Sequence, residues 1–372
     1  MANLRNFDFT SKSDKAFSEE LDVGWLCDSD ISTLEGNDEV VGRSTNIYLN
    51  RFRDSAGVSI ANSARLEMGA GNDLLAGESQ IQVFLYGIRQ AFGIWLKDGA
   101  LADMGEGNDQ VKANAVSATA LNISWGAKLL TGAGNDQVFA RSEGRAAIYL
   151  ENGSINTGEG NDSVEGVSFD GGLLLAYSAS VFTGSGNDFV TGKSVSNGVF
   201  VSGDSVVDTG DGNDQIVGEG GFAGSFGLAV DNSVISSGAG NDRITGINTS
   251  GQLFGIAVIG NGLISAGEGN DVVDASIGGF GYGGLIDMGN GDDTVLGFGD
   301  ILIDGSTGTD KLLLPEGSYS ITSNGTFFDI AKDSVTMIAG SVELIGSAFS
   351  GDTIDLATGA LTVAGDGTLV LV

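Results

Sequence analysis

Eight times the chain writes Gly-x-Gly-Asn-Asp, in copies that end at Asp73, Asp109, Asp136, Asp162, Asp188, Asp214, Asp242 and Asp271. A ninth copy, Leu34-Glu35-Gly36-Asn37-Asp38, lacks the first glycine, and a tenth reads Gly289-Asn290-Gly291-Asp292-Asp293. The motif aspartates follow one another at intervals of 22 to 36 residues, and the interval of 26 occurs three times in succession. Self-similarity of this kind marks a repeat array, in which each unit buries itself on its neighbours.

Aligning the chain on the motif aspartate exposes apolar columns. Two residues after it stand Val40, Leu75, Val111, Val138, Val164, Val190, Ile216, Ile244, Val273 and Val295. Seven residues before it stand Leu66, Leu129, Ile155, Val181, Val207, Ile235, Ile264 and Ile286, with Ala102 the small exception. A third apolar patch lies midway, as in Ile148 and Leu150 or Ile256 and Val258. The patches are short, mostly β-branched and separated by Gly, Asn, Asp and Ser, which is strand-and-turn grammar. Glycine supplies 62 of 372 residues, too many for helices of ordinary length to survive. The expected fold is all-β: a parallel β-helix or β-solenoid of about 26 residues and three short strands per coil, with capped ends and coils stacked at ~4.8 Å.

The repeats occupy 31–310. Residues 1–30 are expected to be an N-terminal cap, with a short helix over 13–21. Residues 311–372, which open on Lys311-Leu312-Leu313-Leu314-Pro315, are expected to be a β-rich C-terminal cap with strands near 319–321, 326–330 and 334–338. The first two complete intervals are about nine residues longer than 26, implying wider coils or bulging loops around 46–61 and 87–101.

Net charge is −32, from 49 acidic and 17 basic residues, which argues against a nucleic-acid partner. Self-repulsion on this scale favours a neutralising divalent cation. The single cysteine, Cys27, allows no intrachain disulfide. No apolar run approaches the ~18 to 20 residues of a membrane span, and no basic segment followed by an apolar stretch marks a cleaved secretory signal at the N-terminus.

Stacking places the motif carboxylates of adjacent coils about 5 Å apart, where two unit charges repel by ~3.5 kcal/mol at an effective dielectric of 20. A hard cation reverses that sign. Ca²⁺ takes six to eight oxygens from carboxylates and backbone carbonyls, and glycine turns leave carbonyls accessible.

The units Gly69-Ala70-Gly71-Asn72-Asp73-Leu74-Leu75 and Gly132-Ala133-Gly134-Asn135-Asp136-Gln137-Val138 resemble the second half of the RTX calcium-binding nonapeptide. RTX motifs run in tandem every nine residues, whereas here the motif occurs once per coil, so one edge at most carries ions. The longer unit is similar to the glycine-rich, Asn-Asp-punctuated solenoid proteins of cyanobacteria. The resemblance covers roughly residues 34–317. It implies Ca²⁺ held by Asp38, Asp73, Asp109, Asp136, Asp162, Asp188, Asp214, Asp242, Asp271 and Asp293, and an extracellular or cell-surface protein. RTX-like proteins leave the cell by type I export, and the ending Asp366-Gly367-Thr368-Leu369-Val370-Leu371-Val372 is similar to their uncleaved C-terminal signals.

The resulting expectation is a calcium-stabilised structural or adhesive solenoid, self-associating into a fibre or coat, with cell-surface polysaccharide as a second partner class. Three alternatives stand beside it. The aspartates can form a metal-free hydrogen-bonded ladder, a role to which Asn37, Asn72, Asn108, Asn135 and their equivalents are better suited. Thr131, Thr157, Thr183, Thr209 and Ser237, five residues before the motif Asp, form a hydroxyl file suited to ice binding or to turn hydrogen bonds. A polysaccharide-degrading enzyme is the third, with Trp25, Trp95 and Trp125 available to line a groove. No histidine is present, however, and the carboxylates repeat rather than gather at one local break, so no enzymatic activity is expected.

Overall fold

The computed structural model describes residues 2–4, 9–20, 23–27, 29–44, 55–80, 91–222, 224–251 and 254–372. The chain divides into two units, Met1–Val195 with Asp204–Val206, and Ser196–Gly203 with Val207–Val372. Both are built from parallel β-coils, and the described residues hold no α-helix.

In the first unit each coil contributes one strand before the Gly-x-Gly-Asn-Asp corner, one after it and a third on the far side. A typical coil uses Ser154–Asn156, Ser163–Ser168 and Leu173–Ala176. Every strand pairs in parallel with its equivalent in the next coil, so equal sequence positions sit in register: Ile155 on Val181, Val164 on Val190 and Ile148 on Leu173. The apolar columns are therefore columns in space, and Leu75, Val111, Val138, Val164, Leu129 and Ile155 are all fully buried. Alternation along the post-corner strands sends every second residue inward.

A small residue recurs four places after the motif Asp: Gly42, Gly77, Ala113, Ala140, Gly166 and Gly192. It marks where the post-corner strand presses on the entry to the third strand. A Cβ at Gly166 would lie 2.2 Å from the Gly172 carbonyl oxygen.

The N-terminal segment differs from expectation. The helix foreseen over 13–21 is instead a strand, Lys15–Glu20, paired in parallel with Glu39–Ser44. Val23–Cys27 likewise pairs with the third strand of the following coil, Ser55–Ile60. Neither segment has long apolar runs, but an exposed edge of the stack presents unpaired N–H and C=O groups, and pairing with it outweighs local helix preference. Of the bulges foreseen around 46–61 and 87–101, residues 46–54 and 87–90 lie outside the described residues. Ser55–Ile60 and Ala91–Leu96 are not bulging loops but strands paired in parallel with each other, because their apolar side chains pack in the stack, and Ala91–Leu96 is buried along its whole length.

The second unit repeats the plan. Ile235 stacks on Ile264, Ile264 on Ile286 and Ile286 on Ile303, while Ile216, Ile244, Val273, Val295 and Leu312 form the post-corner column. The parallel stack continues past Asp310. Lys311–Leu314 pairs with Leu344–Ser347 and Leu302–Asp304 with Val335–Gly340. Between them the chain turns antiparallel: Val335–Gly340, Phe327–Lys332, Gly317–Ser323, Gly359–Val363 and Leu369–Leu371 form successive antiparallel pairs.

Candidate metal centre: the aspartate column

Each corner is fixed by its second glycine. Gly134 has φ +137°, and a Cβ there would lie 1.6 Å from the carbonyl oxygen of Gly107, its equivalent one coil earlier. Glycine alone permits both that backbone region and that approach, so the corners stack without slack.

Two side-chain ladders then run in opposite directions. The backbone N–H of each motif aspartate donates to Oδ1 of the aspartate one coil later. In the first unit the links are Asp73 to Asp109 at 2.7 Å, Asp109 to Asp136 at 2.8 Å, and Asp136 to Asp162 at 2.8 Å. In the second they run Asp214, Asp242, Asp271, Asp293 and Asp310, at 2.7 to 2.9 Å. The asparagines bond the other way, the Asn135 N–H donating to Asn108 Oδ1 and that of Asn161 to Asn135 Oδ1, both at 2.7 Å. A corner such as that of Asp136 is thus stitched to the next coil through an aspartate and to the previous one through an asparagine.

The asparagines lie on the exposed rim, whereas the aspartates face inward. All ten aspartates anticipated from the motif stand in these columns, each no more than 2% exposed. An eleventh, Asp310, joins them. Its corner, Ser306-Thr307-Gly308-Thr309-Asp310, has lost the first glycine and the asparagine, but it keeps the second glycine and the aliphatic Leu312 two places on. The column ends on Glu343, whose Oε2 accepts the Asp310 N–H at 2.8 Å. At the front, Asp14 donates its N–H to Asp38 Oδ1 at 2.8 Å, while its own carboxylate turns aside to Thr10. Gly308 and Leu312, in their motif places, could have found Asp310, although it follows Asp293 by only 17 residues; nothing in the sequence marked Glu343.

The second carboxylate oxygen has no such donor. Oδ2 of Asp38, Asp73, Asp109, Asp136, Asp162, Asp242, Asp271, Asp293 and Asp310 is buried and without a hydrogen-bond partner. At most of these positions burial pushes the carboxyl up, with the ladder N–H acting in the other direction. Asp109 and Asp271 rise from 3.8 to about 7, and Asp73, Asp162, Asp293 and Asp310 to about 6. Asp136, Asp188 and Asp242 are raised for the same cause. Neighbouring carboxylates add to the rise, as Asp136 and Asp73 do for Asp109.

Among the described residues no three Asp, Glu, His or Cys side chains converge on one point. A cation here would take carboxylate oxygens from successive coils and complete its shell with carbonyl or hydroxyl oxygens, as a hard ion accepts. Buried oxygens lacking a donor, regularly stacked, fit that demand.

The hydroxyl file lies just inside the corner. Thr131, Thr157, Thr183, Thr209 and Ser237 are at most 1% exposed, and Thr131 and Thr157 donate to the equivalent carbonyls of the next coil at 3.1 and 3.2 Å. These hydroxyls do not reach the surface, so an ice-binding face cannot be made of them. Of the tryptophans, Trp95 is buried against Phe92, with ring centroids 4.7 Å apart, and so is not available to line a groove, Trp125 is half exposed, and the Trp25 side chain lies outside the described residues.

No protein-family model and no curated protein sequence matches the chain. Among solved structures it is similar to a hyperactive, Ca²⁺-dependent, β-helical antifreeze protein from an Antarctic bacterium. The identity is 18% and the TM-score 0.46, over 95% of this chain and 99% of that one. At that distance no residue role passes from one to the other. No helix of the described residues is long and apolar enough to cross a membrane.

Proposed function

We propose that this chain is a calcium-stabilised structural solenoid that works outside the cell, with the aspartate columns as its ion sites. The observation that supports this is the repeated Oδ2, buried in coil after coil with no donor. One such group is tolerable. A column of them, each about 5 Å from the next, carries a repulsion that grows with every ionised pair. Ca²⁺ held by the carboxylates would convert that cost into cross-coil attraction, and the net charge of −32 points the same way. Abundant extracellular calcium suits the reading, and the adhesive or fibre-forming role follows from the surface. Exposed Trp125, Phe169, Tyr177 and Phe222 supply contact area, and a sheet edge at Leu369–Leu371 offers a site for strand addition. The repeated carboxylates support a binding role rather than a catalytic one.

The raised aspartates favour one competitor, in which protons rather than calcium neutralise the column. Melting the full chain in chelator and in calcium, at pH 5.5 and at pH 8, separates the two. The calcium reading requires a higher melting temperature with calcium at pH 8. The proton reading requires stabilisation by acid alone and indifference to calcium.

A further inference from the structure

The aspartate column is not uniform, and the difference lies five residues upstream. Coils ending in Asp136, Asp162 and Asp242 carry Thr131, Thr157 and Ser237 there; those ending in Asp73, Asp109, Asp271 and Asp293 carry Met68, Met104, Ala266 and Met288. All seven upstream side chains are at most 1% exposed and hold the same place in the repeat, and at Asp136, Asp162 and Asp242 the hydroxyl lies beside its own carboxylate. We propose that this upstream residue decides which coils hold Ca²⁺: coils with Thr or Ser take the ion, and coils with Met or Ala do not. This rests on the reading of the column as a calcium site and refines it.

Oxygen count and softness carry the argument. The Thr157 hydroxyl donates to the Thr183 carbonyl at 3.2 Å and lies close to the Asp162 carboxylate, so its oxygen is within reach of an ion held there. Thr131 and Ser237 do the same with the Thr157 and Ala266 carbonyls, at 3.1 and 2.8 Å. A hydroxyl coil therefore offers a hard cation one more oxygen than the carboxylate and backbone supply. A methionine coil offers a soft thioether, which calcium does not favour, and a long side chain that fills the same space. Ala266 fills less but brings no ligand atom.

The apolar coils then have only protonation to relieve their carboxylates. Each unit thus combines calcium-holding coils with coils whose corners stay closed to the ion.

The test is a count of bound calcium. The full-length protein and three variants are stripped of divalent ions, checked for native far-UV circular dichroism, and brought to equilibrium by dialysis against buffered CaCl₂. Bound metal is measured by atomic emission. Thr157→Val should bind about one ion fewer per chain, Thr157→Ser should match the parent, and Met104→Thr should bind about one more. A parent that binds calcium while both Thr157→Val and Met104→Thr leave the count unchanged overturns the inference and spares the broader reading. A parent that binds none overturns both. If Thr157→Val fails to fold, the gain or its absence in Met104→Thr decides alone.

Discussion

Replacing Asp162 by Asn should stabilise the protein or weaken it according to whether calcium is present. Asn keeps a side-chain oxygen to accept the Asp136 N–H, so the ladder survives, while the buried charge is lost. Burial holds the Asp162 carboxyl at about 6 instead of 3.8, and a rise of about two units corresponds to ~3 kcal/mol set against the ionised form above pH 7. The amide NH₂ that replaces Oδ2 needs an acceptor, and leaving it poorly paired costs ~1 to 3 kcal/mol. The adjacent Thr157 oxygen keeps that cost at the low end. Without divalent ions at pH 8, Asp162→Asn should therefore be more stable by ~1 to 2 kcal/mol. With calcium at about a hundred times its dissociation constant, the parent gains ~2.7 kcal/mol from a site that the variant lacks. The sign then reverses, and the variant becomes less stable by ~1 kcal/mol. Urea unfolding of the full chain in chelator and in calcium reads both values. A change of the same sign and size in the two conditions would refute the reasoning, for it would show that no ion meets this carboxylate.

Other predictions follow from the same geometry. In chelator, the aspartates bind protons more tightly folded than unfolded, so their stabilising contribution is fully present below about pH 4 and is lost as pH rises through about 6 to 7. Melting temperature should fall between pH 5 and pH 8, and saturating calcium should flatten that slope. Gly134→Ala adds a Cβ that meets the Gly107 carbonyl oxygen, on top of ~1 to 3 kcal/mol of backbone strain, so it should destabilise by more than the strain alone in thermal melts, with or without calcium. Ile155→Ala, in the fully buried pre-corner column, should cost ~2 to 5 kcal/mol in urea unfolding. Glu343→Ala, which strips the last ladder acceptor from an exposed position, should cost only ~1 kcal/mol.

The coil was legible because its period is written in residues that packing forces to be alike. Val138, Val164 and Val190 occupy one column in the sequence because they occupy one column in the core. The alignment of the motif aspartates was legible for the same reason. Their burial was not, since Asn and Asp at a glycine turn ordinarily read as surface residues; the ladder of backbone donors accounts for a carboxylate at 0% exposure, as at Asp109, which accepts the Asp73 N–H. Asp310 escaped because Thr309 replaces the asparagine, although Gly308 and Leu312 keep their places. Lys15–Glu20 was read as helical because its polar sequence has no partner within reach along the chain. Its partner is the following coil, and pairing across 24 residues leaves no local signature. The small residue four places after each aspartate, as at Gly77 and Gly166, was in plain view, but it gains meaning only once two strands are seen to touch there.

Direct calorimetric titration of the divalent-free, full-length protein with CaCl₂ at pH 8, followed by melting of the same samples, bears most directly on the buried carboxylates. Saturable binding of several ions per chain, with the melting temperature climbing as they bind, is the predicted outcome. Flat heats together with identical melts in chelator and in calcium would contradict it, and would leave the column as a proton-stabilised ladder.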